Sequence, residues 1–197
     1  YMSGQVVLTG DLNIVGREKV YTKLVAAPNS RHFLIDSGTP TLTLRWLNMT
    51  GGDLCDDPYS SDCYGGSILY GTAGKLNVMD SVFTNNTGTH GGAIFLSSLA
   101  GALGASSNIT GCRFIENTAT WYGGAIASEH GIHFIHTTEF RRNVAHCRGG
   151  AIYLCSSKAS TIYITNVLTQ DNFVSYDSDK AVDCGGGGFW LCVGSLI

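Results

Sequence analysis

Two short motifs alternate along this chain at a spacing that few folds accommodate. The first is a pair of glycines before a small residue and an apolar one: Gly65-Gly66-Ser67-Ile68, Gly91-Gly92-Ala93-Ile94, Gly123-Gly124-Ala125-Ile126, Gly149-Gly150-Ala151-Ile152 and Gly186-Gly187-Gly188-Phe189. The second is an aromatic followed three residues later by asparagine, in Phe83 to Asn86, Phe114 to Asn117 and Phe140 to Asn143, with a degenerate copy from Thr169 to Asn172. The phenylalanines lie 31 and 26 residues apart, and the first four glycine pairs 26, 32 and 26 apart. A period near 26 corresponds to one coil of a solenoid. Gly-Gly pairs and β-branched runs oppose a helical repeat. The segments between motifs alternate as strands do, in Leu42-Thr43-Leu44, Leu76-Asn77-Val78 and Ile162-Tyr163-Ile164. The expected fold is therefore all-β: one right-handed parallel β-helix domain over residues 1–197. Residues 1–40 form its N-terminal coils, followed by coils 41–70, 71–98, 105–128, 131–157 and 160–197, with excursions at 53–62 and 173–183.

Stacked coils lie about 4.8 Å apart, so equivalent positions form columns. The column Met49, Phe83, Phe114, Phe140 is expected inward. The column Asn86, Asn117, Asn143, Asn172 is expected at a turn, where asparagine tolerates left-handed geometry and stacked amides bond to one another. Between them, Asn85, Glu116, Arg142 and Asp171 are all polar and should face water. After each glycine pair, Ile68, Ile94, Ile126, Ile152 and Phe189 suit the core, with Tyr70, Leu96, Ser128, Leu154 and Leu191 two residues on. Leu69, Phe95, Ala127, Tyr153 and Trp190 would then be an outward apolar stripe, fit for a partner or sugar contact. The two faces can also be read the other way round.

Composition narrows the setting. Only 14% of residues are charged and the net charge is -3, which argues against nucleic acid. The 26 glycines sit in a chain that is 44% hydrophobic, so they punctuate a fold rather than mark disorder. No apolar stretch is long enough for a transmembrane helix. The start, Tyr1-Met2-Ser3-Gly4, does not read as a signal peptide. Seven cysteines without a C-x-x-C knuckle favour an oxidising, extracellular compartment. The sequons at Asn48, Asn85 and Asn108 all fall on outward columns, so glycosylation is expected there if the source makes N-glycans.

The paired glycine and Phe-x-x-Asn motifs resemble the repeats of chlamydial polymorphic outer-membrane proteins and related β-helix surface proteins. The resemblance spans roughly residues 40–195. It implies a β-helix exposed at a cell surface and an adhesive role. No segment here suits the translocating β-barrel of those relatives, so their export route is not implied. The first copy departs from the pattern, with Met49 in the Phe83 column and Gly52 in the Asn86 column.

Some parallel β-helices cleave or epimerise acidic polysaccharides, using titratable groups clustered on one outer face. The richest patch here is His130, His133, His136, Arg141 and Arg142, with Glu129 and Glu139 nearby. The histidine spacing of three does not put all of them on one strand face, and no catalytic, cofactor or metal residue is assigned. Asp53, Asp56, Asp57 and Asp62, and likewise Asp177, Asp179 and Asp183, could offer calcium oxygen ligands, but no EF-hand spacing supports that.

Cys147 to Cys155 aligns without gaps on Cys184 to Cys192, which places Cys147 over Cys184 and Cys155 over Cys192 in adjacent coils. The stacking distance suits a disulfide, so these two bridges are expected, with a local bridge Cys55–Cys63. Cys112 is left as a buried free thiol. Neither end carries an evident polar cap, which suggests end-to-end self-association or a section of a longer β-helix. The functional expectation is a non-catalytic structural or adhesive surface protein, such as a subunit of an extracellular fibre or cell-surface structure. The alternative is a carbohydrate-active β-helix enzyme of lyase, hydrolase or epimerase type.

Overall fold

The computed structural model describes residues 4–54, 63–97, 105–155, 161–175, 184–192 and 195–196. All regular elements among them are strands, and every pairing between strands is parallel. From Ile68 onward each full coil visits four sheets in turn, while the two coils before it visit three. The first, here the glycine sheet, stacks Val6–Val7, Phe33–Ile35, Ile68–Tyr70, Ile94–Leu96, Ile126–Ser128, Ile152–Cys155 and Phe189–Cys192. The second stacks Leu12–Val15, Thr41–Arg45, Lys75–Met79, Ser106–Thr110, Ile132–His136, Thr161–Thr165 and Ser195–Leu196. We call it the sequon sheet, because Asn108 lies on it. A phenylalanine sheet of six strands runs from Thr22–Val25 through Val82–Thr84, Arg113–Ile115 and Glu139–Arg141 to Leu168–Gln170. A short sheet of four strands, Thr87–His90, Thr118–Tyr122, Val144–Ala145 and Phe173–Val174, leads back to the glycine sheet.

Tight left-handed residues make the corners. The sequon sheet turns into the phenylalanine sheet at Trp46, Asp80, Gly111, Thr137 and Asn166, all at φ between 47 and 66°. The next corner is Gly51, Asn85, Glu116, Arg142 and Asp171, at φ 52–73°. This corrects the expectation for the asparagine column. The left-handed residue is the polar one before each ladder asparagine, not the asparagine itself. The third corner explains the paired glycines. The first of each pair (Gly65, Gly91, Gly123, Gly149, Gly186) has φ of 61–74°, a region that glycine enters without strain. The second meets the coil above. A Cβ on Gly92, Gly124 or Gly150 would run into the carbonyl oxygen of Gly124, Gly150 or Gly187.

One continuous core fills the tube. Ile68, Ile94, Ile126 and Ile152 point into it, each at most 1% exposed, together with Tyr70, Leu96 and Leu154. Met49, Phe83, Phe114 and Phe140 are all fully buried. The phenylalanine rings stack nearly parallel, with centroids 4.9 and 5.0 Å apart. Stacking between coils therefore reproduces the sequence repeat ring on ring, and dispersion plus burial adds up along the column.

Candidate interaction surface and the residues that build it

The asparagine column is a bonded ladder. Asn86 Nδ2 donates to Asn117 Oδ1 at 2.9 Å, Asn117 Nδ2 to Asn143 Oδ1 at 2.9 Å, and Asn143 Nδ2 to Asn172 Oδ1 at 2.9 Å. Each amide also caps the backbone of the coil before it. Asn117 Nδ2 reaches Phe83 O at 3.0 Å, Asn143 Nδ2 reaches Phe114 O at 2.9 Å, and Asn172 Nδ2 reaches Phe140 O at 2.8 Å. The side-chain oxygens accept from the backbone N–H of Asn86, Asn117 and Asn143. Gly52 N–H, in the first and divergent copy, donates to Asn86 Oδ1 at 2.9 Å. A turn that breaks two strand ladders is thereby satisfied entirely inside the protein.

The expected outward stripe is not an open surface. Leu69, Phe95, Ala127, Tyr153 and Trp190 do point away from the main core, but Phe95, Ala127 and Tyr153 are buried in a second, smaller cluster. The residues that cover them come immediately before the glycine pairs. Tyr64 lies 4.6 Å from Phe95, Tyr122 stacks on Tyr153 at 4.6 Å, and His90 stands edge-on to Tyr64 and Tyr122 at 4.7 and 4.9 Å. Arg148 completes the column over Tyr122 and Trp190, 5.5 and 5.0 Å from the ring centroids. At the left-handed glycine the preceding side chain turns toward the glycine-sheet strand one coil further on, so Tyr64 meets Phe95, Tyr122 meets Tyr153 and Arg148 meets Trp190. Tyr64, His90, Tyr122 and Arg148 are one step upstream of a motif legible in the sequence, and that alignment was the signal available to find them. Burial drives His90 down to about 4 and raises the hydroxyl pKa of Tyr64 and Tyr153.

The histidine patch is divided. His133 points into the sequon sheet's inner face and is 2% exposed. Its Nδ1 lies 2.9 Å from Ser107 Oγ and its Nε2 2.8 Å from Ser128 Oγ. Burial lowers its pKa to about 4, against a raising contribution from the His130 carbonyl. His136 faces outward, 2.5 Å from Thr165 Oγ1. Glu139 and Arg141 belong to the phenylalanine sheet, flanking buried Phe140. Arg142 pairs with Glu116 at 2.6 Å at the exposed corner, and Glu129 accepts from Ser97 Oγ at 3.1 Å. The seven residues are thus parcelled among different faces and partners. A second buried histidine escaped the sequence reading. His32 is fully buried, with Nδ1 3.0 Å from Ser67 Oγ and Nε2 3.1 Å from Leu24 O, and burial lowers it to about 4. It occupies the place of Ser67 in a coil that has no glycine pair, since Phe33 pairs with Ile68.

Cys147 is bonded to Cys184 and Cys155 to Cys192, with Cα atoms 4.7 and 4.6 Å apart across adjacent coils. Cys112 is a buried free thiol that donates to Val78 O and Thr110 O, and burial pushes its pKa up to about 12. Cys55 lies outside the described residues, as do Asp56, Asp57, Asp62, Asp177, Asp179 and Asp183, so the local bridge to Cys63 and the acidic loops have no structural account here. Among the described residues no group of His, Cys, Asp or Glu is arranged to hold a metal ion.

The outer face of the sequon sheet is different in character. In register across it run Thr43, Asn77, Asn108, Phe134 and Tyr163. A groove of about 810 Å³ opens there, lined by Lys75, Asn108, Phe134, His136 and Tyr163 among others. Asn108 and Asn48 are half-buried on outward sides, and Asn85 is exposed at its corner.

Residues 80–97 and 111–129 match the model of the Chlamydia polymorphic membrane protein repeat. Each match runs from the phenylalanine strand through the asparagine ladder and the glycine pair to the end of the next glycine-sheet strand. No curated protein and no solved structure matches the chain. The chain is a parallel β-solenoid that carries repeats of the Chlamydia polymorphic membrane protein type, a family of the cell surface and outer membrane.

Proposed function

We propose that this solenoid is a non-catalytic, extracellular scaffold that presents adhesive surface, glycosylated at Asn48, Asn85 and Asn108 where its source makes N-glycans. The observation that carries the reading is the use made of the polar groups that recur from coil to coil. The ladder amides and the buried His32 and His133 are bonded to neighbouring coils, so their chemistry is spent on stacking. Self-association end to end, or continuation in a longer β-helix, extends the same reading. The large apolar side chains exposed among the described residues gather in the first and last coils: Val6, Val7, Val15 and Val20 at one end, Leu168, Phe173 and Leu191 at the other. Stacking of a further coil on such an end would bury them and pair open strand backbones.

Two measurements test this. Incubation with a panel of acidic and neutral polysaccharides should yield bound complexes or nothing, with no new chain ends. Catalytic turnover would instead establish the enzyme alternative. Light scattering and electron microscopy of the native protein should show rods or filaments, and a monodisperse short monomer would remove the end-to-end contact.

A further inference from the structure

Away from the first and last coils, the large apolar side chains exposed among the described residues are Ile132 and Phe134, at 48% and 44%. Both stand on the outer face of the sequon sheet and line its groove. The Phe134 ring stacks on Tyr163 with centroids 4.6 Å apart and planes 1° from parallel. One face of Phe134 is therefore covered, and the other turns toward the preceding rung. Asn108 occupies that rung in direct register with Phe134. A benzyl group reaches further from the backbone than a carboxamide, so at a spacing of about 4.8 Å the outer part of the free ring face stands clear of the amide. Asn108 Oδ1 accepts from Thr110 Oγ1 at 3.0 Å, while no hydrogen bond donated by its Nδ2 is found among the described residues.

We infer that Asn108 carries an N-linked glycan whose first sugar packs on the free face of Phe134 and covers the groove. This rests on the glycosylation part of the reading above and adds a defined seat for one glycan. The attaching step takes a lipid-pyrophosphate-linked oligosaccharide as donor. Asn108 Nδ2 forms a bond to the anomeric carbon and loses a proton, while the bond from that carbon to the lipid pyrophosphate breaks and the pyrophosphate leaves with the electron pair. A sugar fits this groove chemically. Its C–H face complements an aromatic ring, and Ser106, Thr110, His136 and Thr165 ring the groove with hydrogen-bonding groups for its hydroxyls. The other two sequons have no such seat. Asn48 is in register with Lys23 and Val82, and Asn85 projects from a corner.

The test uses the whole chain secreted from cells that make N-glycans, with Asn48→Gln and Asn85→Gln so that a single sequon remains. Peptide mapping should find Asn108 glycosylated. Enzymatic removal of the glycan should lower Tm by roughly 2–4 °C with Phe134 present and leave Phe134→Ser unmoved. Because Phe134 could matter for folding yield, the unsubstituted ring gives a second readout: the first sugar's acetyl methyl protons should shift upfield in NMR spectra. An unmodified Asn108 peptide would remove the glycan altogether. A glycan whose loss changes Tm equally in both proteins, with unshifted acetyl protons, would leave surface glycosylation standing and remove the seat on Phe134.

Discussion

The asparagine corner and the outer face of the sequon sheet belong to the same coils yet obey different rules. At the corner, Asn86, Asn117 and Asn143 are fully buried and each is tied to the coils on both sides. On the sheet face, the register column changes identity at almost every rung, from Thr43 to Asn77, Asn108, Phe134 and Tyr163. The corner repeats because a substitution in one coil strands polar groups in its neighbours. The face varies because solvent takes up whatever a rung leaves unpaired. Repetition thus marks what holds the stack together, and variation marks where a particular coil can acquire a role.

The contrast is broken most severely at the corner. Asn117→Leu leaves the backbone N–H of Asn86 and one N–H of its side-chain amide without their acceptor inside the core. Two orphaned buried donors cost about 4 kcal/mol together, to be read as a lowered urea midpoint.

Acid attacks the buried histidines next. His32 and His133 bind protons only near pH 4 in the folded chain but near pH 6.5 when unfolded. The unfolded state therefore binds more protons between those values, and stability falls as pH drops from 6.5 to 4. The loss is about 3 kcal/mol for each histidine. His133→Asn should flatten the slope of Tm against pH in that window, and an unchanged slope would contradict the burial account.

The disulfides should be partly redundant. Both close 37-residue loops between the same two coils. Closing one 37-residue loop is worth roughly 4 kcal/mol, whereas Cys155→Ser with Cys192→Ser should cost about 3 kcal/mol, because with the other bridge in place the second closes only a ring of about 16 residues. Chemical denaturation of the single-bridge and bridge-free variants checks this. The smallest effect is expected on the sheet face, where Asn108→Ala in the unglycosylated protein should shift stability by no more than about 0.5 kcal/mol. A larger loss there would mean that the face contributes to folding as the corner does.

Much of this was open to reading without coordinates. The spacing of glycine pairs and Phe-x-x-Asn motifs determines the parallel stack and the phenylalanine column, because each of those residues interacts with its own copy one coil away. Which face of the strand after each glycine pair turns inward stays open in the sequence and is decided by the folded stack. The same logic aligns Cys147 with Cys184 and Cys155 with Cys192. What escaped depends on neighbours within or beside a coil, where no period applies. The left-handed strain falls on Asn85, Glu116, Arg142 and Asp171 rather than on the ladder asparagines, since the buried amide needs its side chain inward while the residue before it makes the turn. Phe95 and Tyr153 are roofed by Tyr64, His90, Tyr122 and Arg148, because the side chain before each left-handed glycine reaches the strand of the next coil. Which histidine is buried, and which asparagine stands beside an open aromatic ring, follows from strand register across coils of unequal length. Only the folded stack sets that register.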